Sequence, residues 1–162
     1  MSLTIKDISE SEYDNSNSTE LFEIDERLKY NRFVEIVAFQ KKYKICWTSE
    51  SIPLDVREIA PNTYLLGVDL QFIIYDFASS TVKLAMTLDS YYYESLYYKD
   101  YLIIITEVNL YFINTQSFQI ESNINLPDIF MSMDIVGDKL CVHCMDDYEL
   151  HIQVQGNQII ET

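Results

Sequence analysis

Residues 56–88, VREIAPNTYLLGVDLQFIIYDFASSTVKLAMTL, decide the fold that this sequence predicts. Short β-branched and aromatic runs alternate there with turn residues, a pattern that is typical of antiparallel strands. Residues 95–126 (SLYYKDYLIIITEVNLYFINTQSFQIESNINL) and 132–161 (SMDIVGDKLCVHCMDDYELHIQVQGNQIIE) repeat the same order of strands and turns. We therefore expect three consecutive β-meanders.

The repeat has a period of about 40 residues, the spacing at which propeller blades recur. The period is measured between the third strands, which centre on Phe72, Leu110 and Leu150. The first turns of the copies are Pro61-Asn62-Thr63, Lys99-Asp100 and Gly137-Asp138-Lys139. Because the sequence has only three glycines, most turns must rely on Asn, Asp and Ser.

The first two copies resemble WD40-type repeats in their third and fourth strands, IIYDFASSTVKLAMTL and YFINTQSFQIESNINL. Asp76 and Asn114 stand where those repeats place an Asp before a tight turn. Tyr75 and Ile113 replace the Trp of the usual Trp-Asp pair, and the Gly-His element is absent. The resemblance covers residues 56–162 and implies a propeller-like fold.

We predict an all-β fold of antiparallel β-meanders, arranged as a small or partial propeller, with a β-sandwich as the alternative. A four-blade ring requires residues 21–53 to form a degenerate first blade. There the runs FVEIVAF and YKICW flank Gln40–Lys42, which predicts a hairpin with a basic tip. Residues 1–20 are polar, with a Ser- and Asn-rich stretch, so we expect a flexible N-terminal arm followed by one all-β domain over residues 21–162.

The charge balance restricts the class of partner. Lys and Arg total 11 against 26 Asp and Glu, which gives a formal net charge of −15. Residues 89–162 carry twelve acidic residues and two lysines, a formal charge of −10. Such a surface repels nucleic acid and anionic membranes and attracts cations. We expect a basic protein partner, with no nucleic acid and no membrane.

The predicted location is cytoplasmic, and the predicted state is a monomer or weak oligomer. No apolar run approaches the roughly 20 residues that cross a bilayer. The segment Met1–Glu12 lacks the basic and then apolar order of a signal peptide.

Tyrosine is abundant, with 13 copies, and five of them lie in YYYESLYY at residues 91–98. Interfaces favour Tyr because it offers a large contact area with few rotatable angles. The acidic turn MDDYEL at residues 145–150 could hold Lys or Arg of a partner. The predicted partner-binding residues are Tyr91, Tyr92, Tyr93, Tyr97, Tyr98, Asp146, Asp147 and Glu149. The alternative is that the tyrosines pack in strands and that the acidic turn is merely solvated.

Cys141, His143 and Cys144 form the most ligand-like cluster in the sequence. Alternation on a strand places Cys141 and His143 on one face and Cys144 on the other. Zinc requires three or four ligands, and further ligands would have to come from Cys46 or His151. We therefore expect no metal site and no cofactor, and interpret the cluster as buried thiols beside a half-buried histidine.

No motif indicates catalysis, so we predict that the chain is not an enzyme. The histidines lie outside any recognisable nucleophile elbow, and the glycines are too far apart for a phosphate-binding loop. The leading hypothesis is a protein-binding module that neutralises a basic partner, such as a toxin nuclease, by occlusion. By size and charge the chain resembles small acidic bacterial toxin-immunity proteins. The alternatives are a propeller-like scaffold subunit of a larger complex and a metal- or carboxylate-dependent enzyme.

Overall fold

The protein, as a computed structural model that describes residues 3–155 and 158–161, consists mainly of β-strands in four four-stranded sheets. The first sheet contains β1 (Thr4–Asp7), β2 (Thr19–Glu20), β3 (Arg32–Ala38) and β4 (Lys41–Trp47), and α1 (Glu10–Asn15) lies between β1 and β2. The second contains β5 (Asp55–Ala60), β6 (Thr63–Val68), β7 (Gln71–Asp76) and β8 (Thr81–Thr87). The third contains β9 (Tyr92–Tyr98), β10 (Tyr101–Thr106), β11 (Asn109–Asn114) and β12 (Ile120–Asn125). The fourth contains β13 (Phe130–Val136), β14 (Lys139–Cys144), a 3₁₀ turn (Met145–Asp147), β15 (Glu149–Gln155) and β16 (Gln158–Glu161).

The second, third and fourth sheets are antiparallel meanders in which each strand pairs with its sequence neighbour. The first sheet departs from this order: its strands run β1-β3-β4-β2, and β2 pairs with β4 in parallel. The three meanders coincide with the three sequence repeats. The predicted all-β, propeller-like fold class is confirmed.

The chain divides between Leu88 and Asp89 into two compact units, each with its own core. In the first unit the first and second sheets share one hydrophobic cluster, in which Tyr43 and Phe77 meet edge to face with ring centroids 4.9 Å apart. In the second unit the third and fourth sheets share another, which includes Phe112 and Val142. Each fully buried Leu, Ile or Phe contributes roughly 1.5–3 kcal/mol, so these clusters supply the main stabilising term.

Asp76 and Asn114, which stand where WD40-type repeats place an Asp, stabilise a tight turn as the sequence indicated. Asp76 Oδ1 accepts hydrogen bonds from the backbone N–H groups two and three residues further on, at 3.0 and 3.1 Å. Asn114 Oδ1 makes the same two contacts at 2.9 and 3.1 Å. Both side chains therefore close the turn between the third and fourth strands of their meanders.

The first turn of each meander contains one residue with a left-handed backbone. These residues are Asn62, Lys99 and Gly137, with φ of 63°, 53° and 64°. The hairpin between β3 and β4 is also present, and Phe39 and Gln40 both have positive φ at its tip. The two lysines that follow begin β4, so the basic residues lie beside the tip and not at it.

Residues 4–20 contain β1, α1 and β2, within the segment whose polar composition predicted an N-terminal arm. Ser9 caps α1: its Oγ accepts from the N–H of Glu12 at 3.2 Å, and the Glu12 carboxylate accepts from the N–H of Ser9 at 2.7 Å. This reciprocal pattern, Ser followed three residues later by Glu, is a capping box. This capping box is a local signal for a helix, although the overall composition of the segment is typical of loops.

The buried Lys44 joins this N-terminal segment to the first sheet. Its Nζ donates to the carbonyl oxygens of Tyr13 at 3.0 Å and Ser16 at 3.3 Å, and lies 3.3 Å from Glu20 Oε1. Met1 and Ser2 of the predicted arm lie outside the described residues. The flexibility of residues 1–20 and the single-domain character of residues 21–162 stay predictions.

Candidate functional site

The five clustered tyrosines divide into exposed and buried members. Tyr91, Tyr93 and Tyr97 are exposed, Tyr93 by 59%. Tyr92 and Tyr98 are 3% and 5% exposed, so their assignment to a contact surface needs correction. Tyr98 lies in the core of the second unit, and its hydroxyl donates to the carbonyl of Asp138. A register shift at the end of β10 brings Thr106 opposite Tyr92, so Tyr93 lies outside the regular ladder.

Tyr93 contacts the start of β13, where further apolar side chains are exposed. Its ring meets the buried Phe130 ring edge to face, with centroids 5.3 Å apart. Main-chain bonds link the neighbouring segments: Phe130 N–H donates to Glu107 O at 2.7 Å, and Glu107 N–H donates to Tyr91 O at 3.1 Å. Met145 N–H donates to Ile129 O at 2.8 Å. We name the exposed side chains around these links the docking surface: Tyr91, Tyr93, Ile129, Met131, Met145 and Tyr148.

The acidic turn lies beside the docking surface, because Met145 belongs to both. Asp146 and Asp147 are exposed and have left-handed backbones, with φ of 55° and 59°. Left-handed conformations are unfavourable for most side chains but are tolerated by Asp. The turn therefore projects two solvated carboxylates next to apolar side chains.

Sequence reasoning did not identify four residues of the docking surface: Ile129, Met131, Met145 and Tyr148. The signal was present in the run Ile129–Met131, three consecutive apolar residues at the start of a strand. Strand alternation cannot bury all three on one face, so at least one must be exposed or covered from the other side. Methionine suits an adaptable binding surface because its side chain is unbranched and polarizable.

A second group of polar side chains lies on one face of the fourth sheet. Cys141 is paired in register with His151 on β15 and with Asp134 on β13, and His143 is paired with Glu149. Cys141 Sγ lies 3.3 Å from His151 Nδ1, and His151 Nε2 lies 3.2 Å from Glu149 Oε1. His143 Nε2 lies 3.4 Å from Asp134 Oδ2.

The opposite face of β14 is apolar. Cys144 packs in the core with Leu140 and Val142, as strand alternation predicted. Burial raises the pKa of the Cys144 thiol; a backbone hydrogen bond at Asp128 partly opposes this shift, and the charge of Asp128 adds to it. Cys144 is therefore a packed core thiol. His151, which the sequence placed at a distance from Cys141, is brought next to it by the β14–β15 hairpin.

The comparisons with known proteins give the fold class of this chain. Solved structures that resemble this chain are WD40-type β-propeller proteins, so the resemblance to such repeats is confirmed at the level of the fold. One is the β-propeller domain of Myceliophteria thermophila Cps50 (Swd1), with a TM-score of 0.51 and 10% identity over 70% of this chain and 39% of that one.

Two further structures give the same result. A chain of the mitotic checkpoint complex matches with a TM-score of 0.52 and 10% identity over 80% of this chain and 45% of its own length. Saccharomyces cerevisiae Sqt1 matches with a TM-score of 0.50 and 9% identity over 97% of this chain and 48% of its own. This chain therefore spans less than half the length of each of these three structures.

No family model and no curated protein matches the sequence. Within residues 3–155 and 158–161, no helix combines the length and the apolar character that crossing a membrane requires.

Proposed function

We propose that this chain is a propeller-like scaffold module that binds a basic protein through the docking surface of its second unit. The observation that supports this proposal is that main-chain hydrogen bonds and the Tyr93–Phe130 ring contact link segments that carry six exposed apolar side chains and two exposed carboxylates. Large exposed apolar groups rimmed by polar residues are typical of protein-interaction sites. The fold class agrees, because the structural neighbours are propellers, and binding residues are commonly carried on loops that a rigid scaffold positions.

The charge supports a basic partner. The second unit carries a formal charge of −10, and Lys99 and Lys139 are its only basic residues besides its two histidines. A positive segment would be drawn to this unit by long-range attraction, and the association rate would fall as salt rises. Exposed phenol rings add contact area and can accept a Lys or Arg cation over their faces.

The test is affinity purification of the wild-type protein against a docking-surface variant, Tyr93→Ser with Met131→Ser. Partners are identified and quantified by mass spectrometry. We expect a basic protein to be enriched by the wild type and to elute with salt. Loss of a central aromatic contact costs about 2 kcal/mol or more, roughly a 30-fold weaker complex, so the variant should lose that protein.

The matched control is Val82→Ser. Val82 is an exposed apolar strand residue of the first unit, and its substitution should leave the enrichment unchanged. The proposal fails if the same proteins are enriched by the wild type and the docking-surface variant. It also fails if the enriched partners are acidic, or if Val82→Ser removes them equally. Circular dichroism establishes that each variant retains the strand content of the wild type.

The finer hypothesis is an immunity protein that occludes a basic toxin nuclease. It draws on the negative charge of the second unit, which would stand where nucleic acid binds the nuclease. Mixing the purified partner with this protein separates the two functions. A binary complex that abolishes nuclease activity supports inhibition, whereas a multi-subunit assembly without such inhibition supports the scaffold. A toxin gene in the neighbouring reading frame would also support inhibition.

A further inference from the structure

We infer that Cys141, Glu149 and His151 form a binding site for a divalent transition metal ion, zinc being the ion that fits their donor atoms best. The site lies on the polar face of the fourth sheet. It does not depend on the docking surface, because none of its three residues belongs to that surface.

The β14–β15 hairpin creates the site. Cys141 and His151 are directly opposite each other in the ladder, and Glu149 is two residues before His151, so all three side chains leave the same face of the sheet. With one donor atom from each residue, the donor atoms all lie within 4.8 Å of one another. Three donors are thus held by two adjacent strands whose register is fixed by hydrogen bonds.

The distances suit tetrahedral coordination. Zinc lies about 2.3 Å from thiolate sulfur and about 2.1 Å from imidazole nitrogen, so donors around a tetrahedral ion are roughly 3.5 Å apart. The Cys141 Sγ to His151 Nδ1 distance of 3.3 Å is close to this value. Glu149 Oε1 lies 3.2 Å from the other ring nitrogen, His151 Nε2, so its side chain must move toward the Nδ1 side to complete a three-ligand set. The fourth position is then left to water.

The chemistry of the donors favours zinc over harder ions. Calcium and magnesium prefer oxygen donors, whereas a thiolate with an imidazole selects zinc and related ions. The three residues differ in burial: Cys141 is buried, His151 is partly exposed, and Glu149 is exposed. The ion would therefore have a route from solvent while its thiolate ligand stays shielded.

Cobalt(II) is the probe, because it replaces zinc and is visible by absorption. The full-length protein is purified under reducing conditions, treated with chelator, and titrated with cobalt and then with zinc. We expect one equivalent of cobalt to bind with a thiolate-to-cobalt charge-transfer band, and zinc to displace it. Cys141→Ser should abolish that band. His151→Gln should weaken cobalt binding by roughly 100-fold or more, since even outer partners of a metal site are worth 10–100-fold.

Two control variants make the assignment specific. His143→Gln removes a partly exposed imidazole from the same face of β14 and should weaken cobalt binding far less than His151→Gln does, because His143 is outside the three-residue set. Cys46→Ser removes a thiol of the first unit and should retain the band. The inference is overturned if no thiolate band forms, if the band survives Cys141→Ser, or if His143→Gln weakens binding as much as His151→Gln does. His151→Gln keeps the test decisive if Cys141→Ser fails to fold.

Discussion

Replacing Asp69 by Ala should destabilise the first unit more than any surface substitution there. Asp69 is 5% exposed and lies in the turn between β6 and β7. Its Oδ2 accepts from Thr48 N–H at 2.7 Å, Thr48 Oγ1 at 2.8 Å and Ser49 N–H at 3.0 Å. The carboxylate thereby holds the segment after β4, in the first sheet, against a turn of the second sheet.

The magnitude follows from these three hydrogen bonds. A hydrogen bond to a charged group contributes roughly 1.5–3 kcal/mol. The three bonds share one oxygen, so their contributions do not add, and we expect Asp69→Ala to lower the free energy of unfolding by about 3–4 kcal/mol. Asp69→Asn retains an acceptor oxygen but no charge, and should cost about 1–2 kcal/mol.

Urea unfolding followed by tryptophan fluorescence measures this effect. The sequence has a single Trp, Trp47, which is buried immediately before Thr48 and therefore reports on the first unit. The control is Asp7→Ala, which removes a mostly exposed carboxylate 3.6 Å from Arg32 and should cost less than about 1 kcal/mol. A cost for Asp69→Ala no larger than that of the control would refute the reasoning.

Two further predictions concern the N-terminal segment and the alkaline limit of stability. Lys44→Met keeps the apolar stem but removes the charged donor to the carbonyls of Tyr13 and Ser16, so limited proteolysis within residues 4–20 should accelerate by roughly 10–100-fold. Equal acceleration by Lys42→Met, at an exposed lysine, would contradict this. Burial, and then the hydrogen bond to Glu121, raises the pKa of Tyr101 to about 12. The folded state thus favours neutral Tyr101, and this stabilisation is complete below pH 10 and lost as pH rises toward 12. Tyr101→Phe should make the free energy of unfolding fall less steeply across that range in urea titrations, and an unchanged slope would show that another group is responsible.

The second to fourth sheets were predictable because their signals are local. Apolar strands such as Tyr101–Thr106 are recognisable from β-branched and aromatic runs, and Asp76 and Asn114 mark turns through contacts with residues two and three positions away. The first sheet was less predictable. Its parallel pairing of β2 with β4 joins residues far apart in the sequence, and β2 has only two residues, too few for any periodicity.

In the candidate sites, too, local features were predictable from the sequence and long-range contacts were not. Exposure of the acidic turn at Asp146 and Asp147 was predictable from turn chemistry. The separation of Tyr93 from Tyr92 depended on a register shift, which a single sequence does not reveal. The proximity of Cys141 to His151 depended on which residues face each other across β14 and β15.

The sequence by itself determined the all-β fold class, the period of the meanders, the turn positions and the negative charge of residues 89–162. These properties depend on residue type and on neighbours within a few positions. Only the tertiary structure decided which tyrosines are exposed, how Ile129 and Met145 join them, and that Cys141, Glu149 and His151 meet on one face. The physical reason is that strand pairing brings distant residues together, and a change of one residue in register would turn each side chain to the opposite face of its sheet.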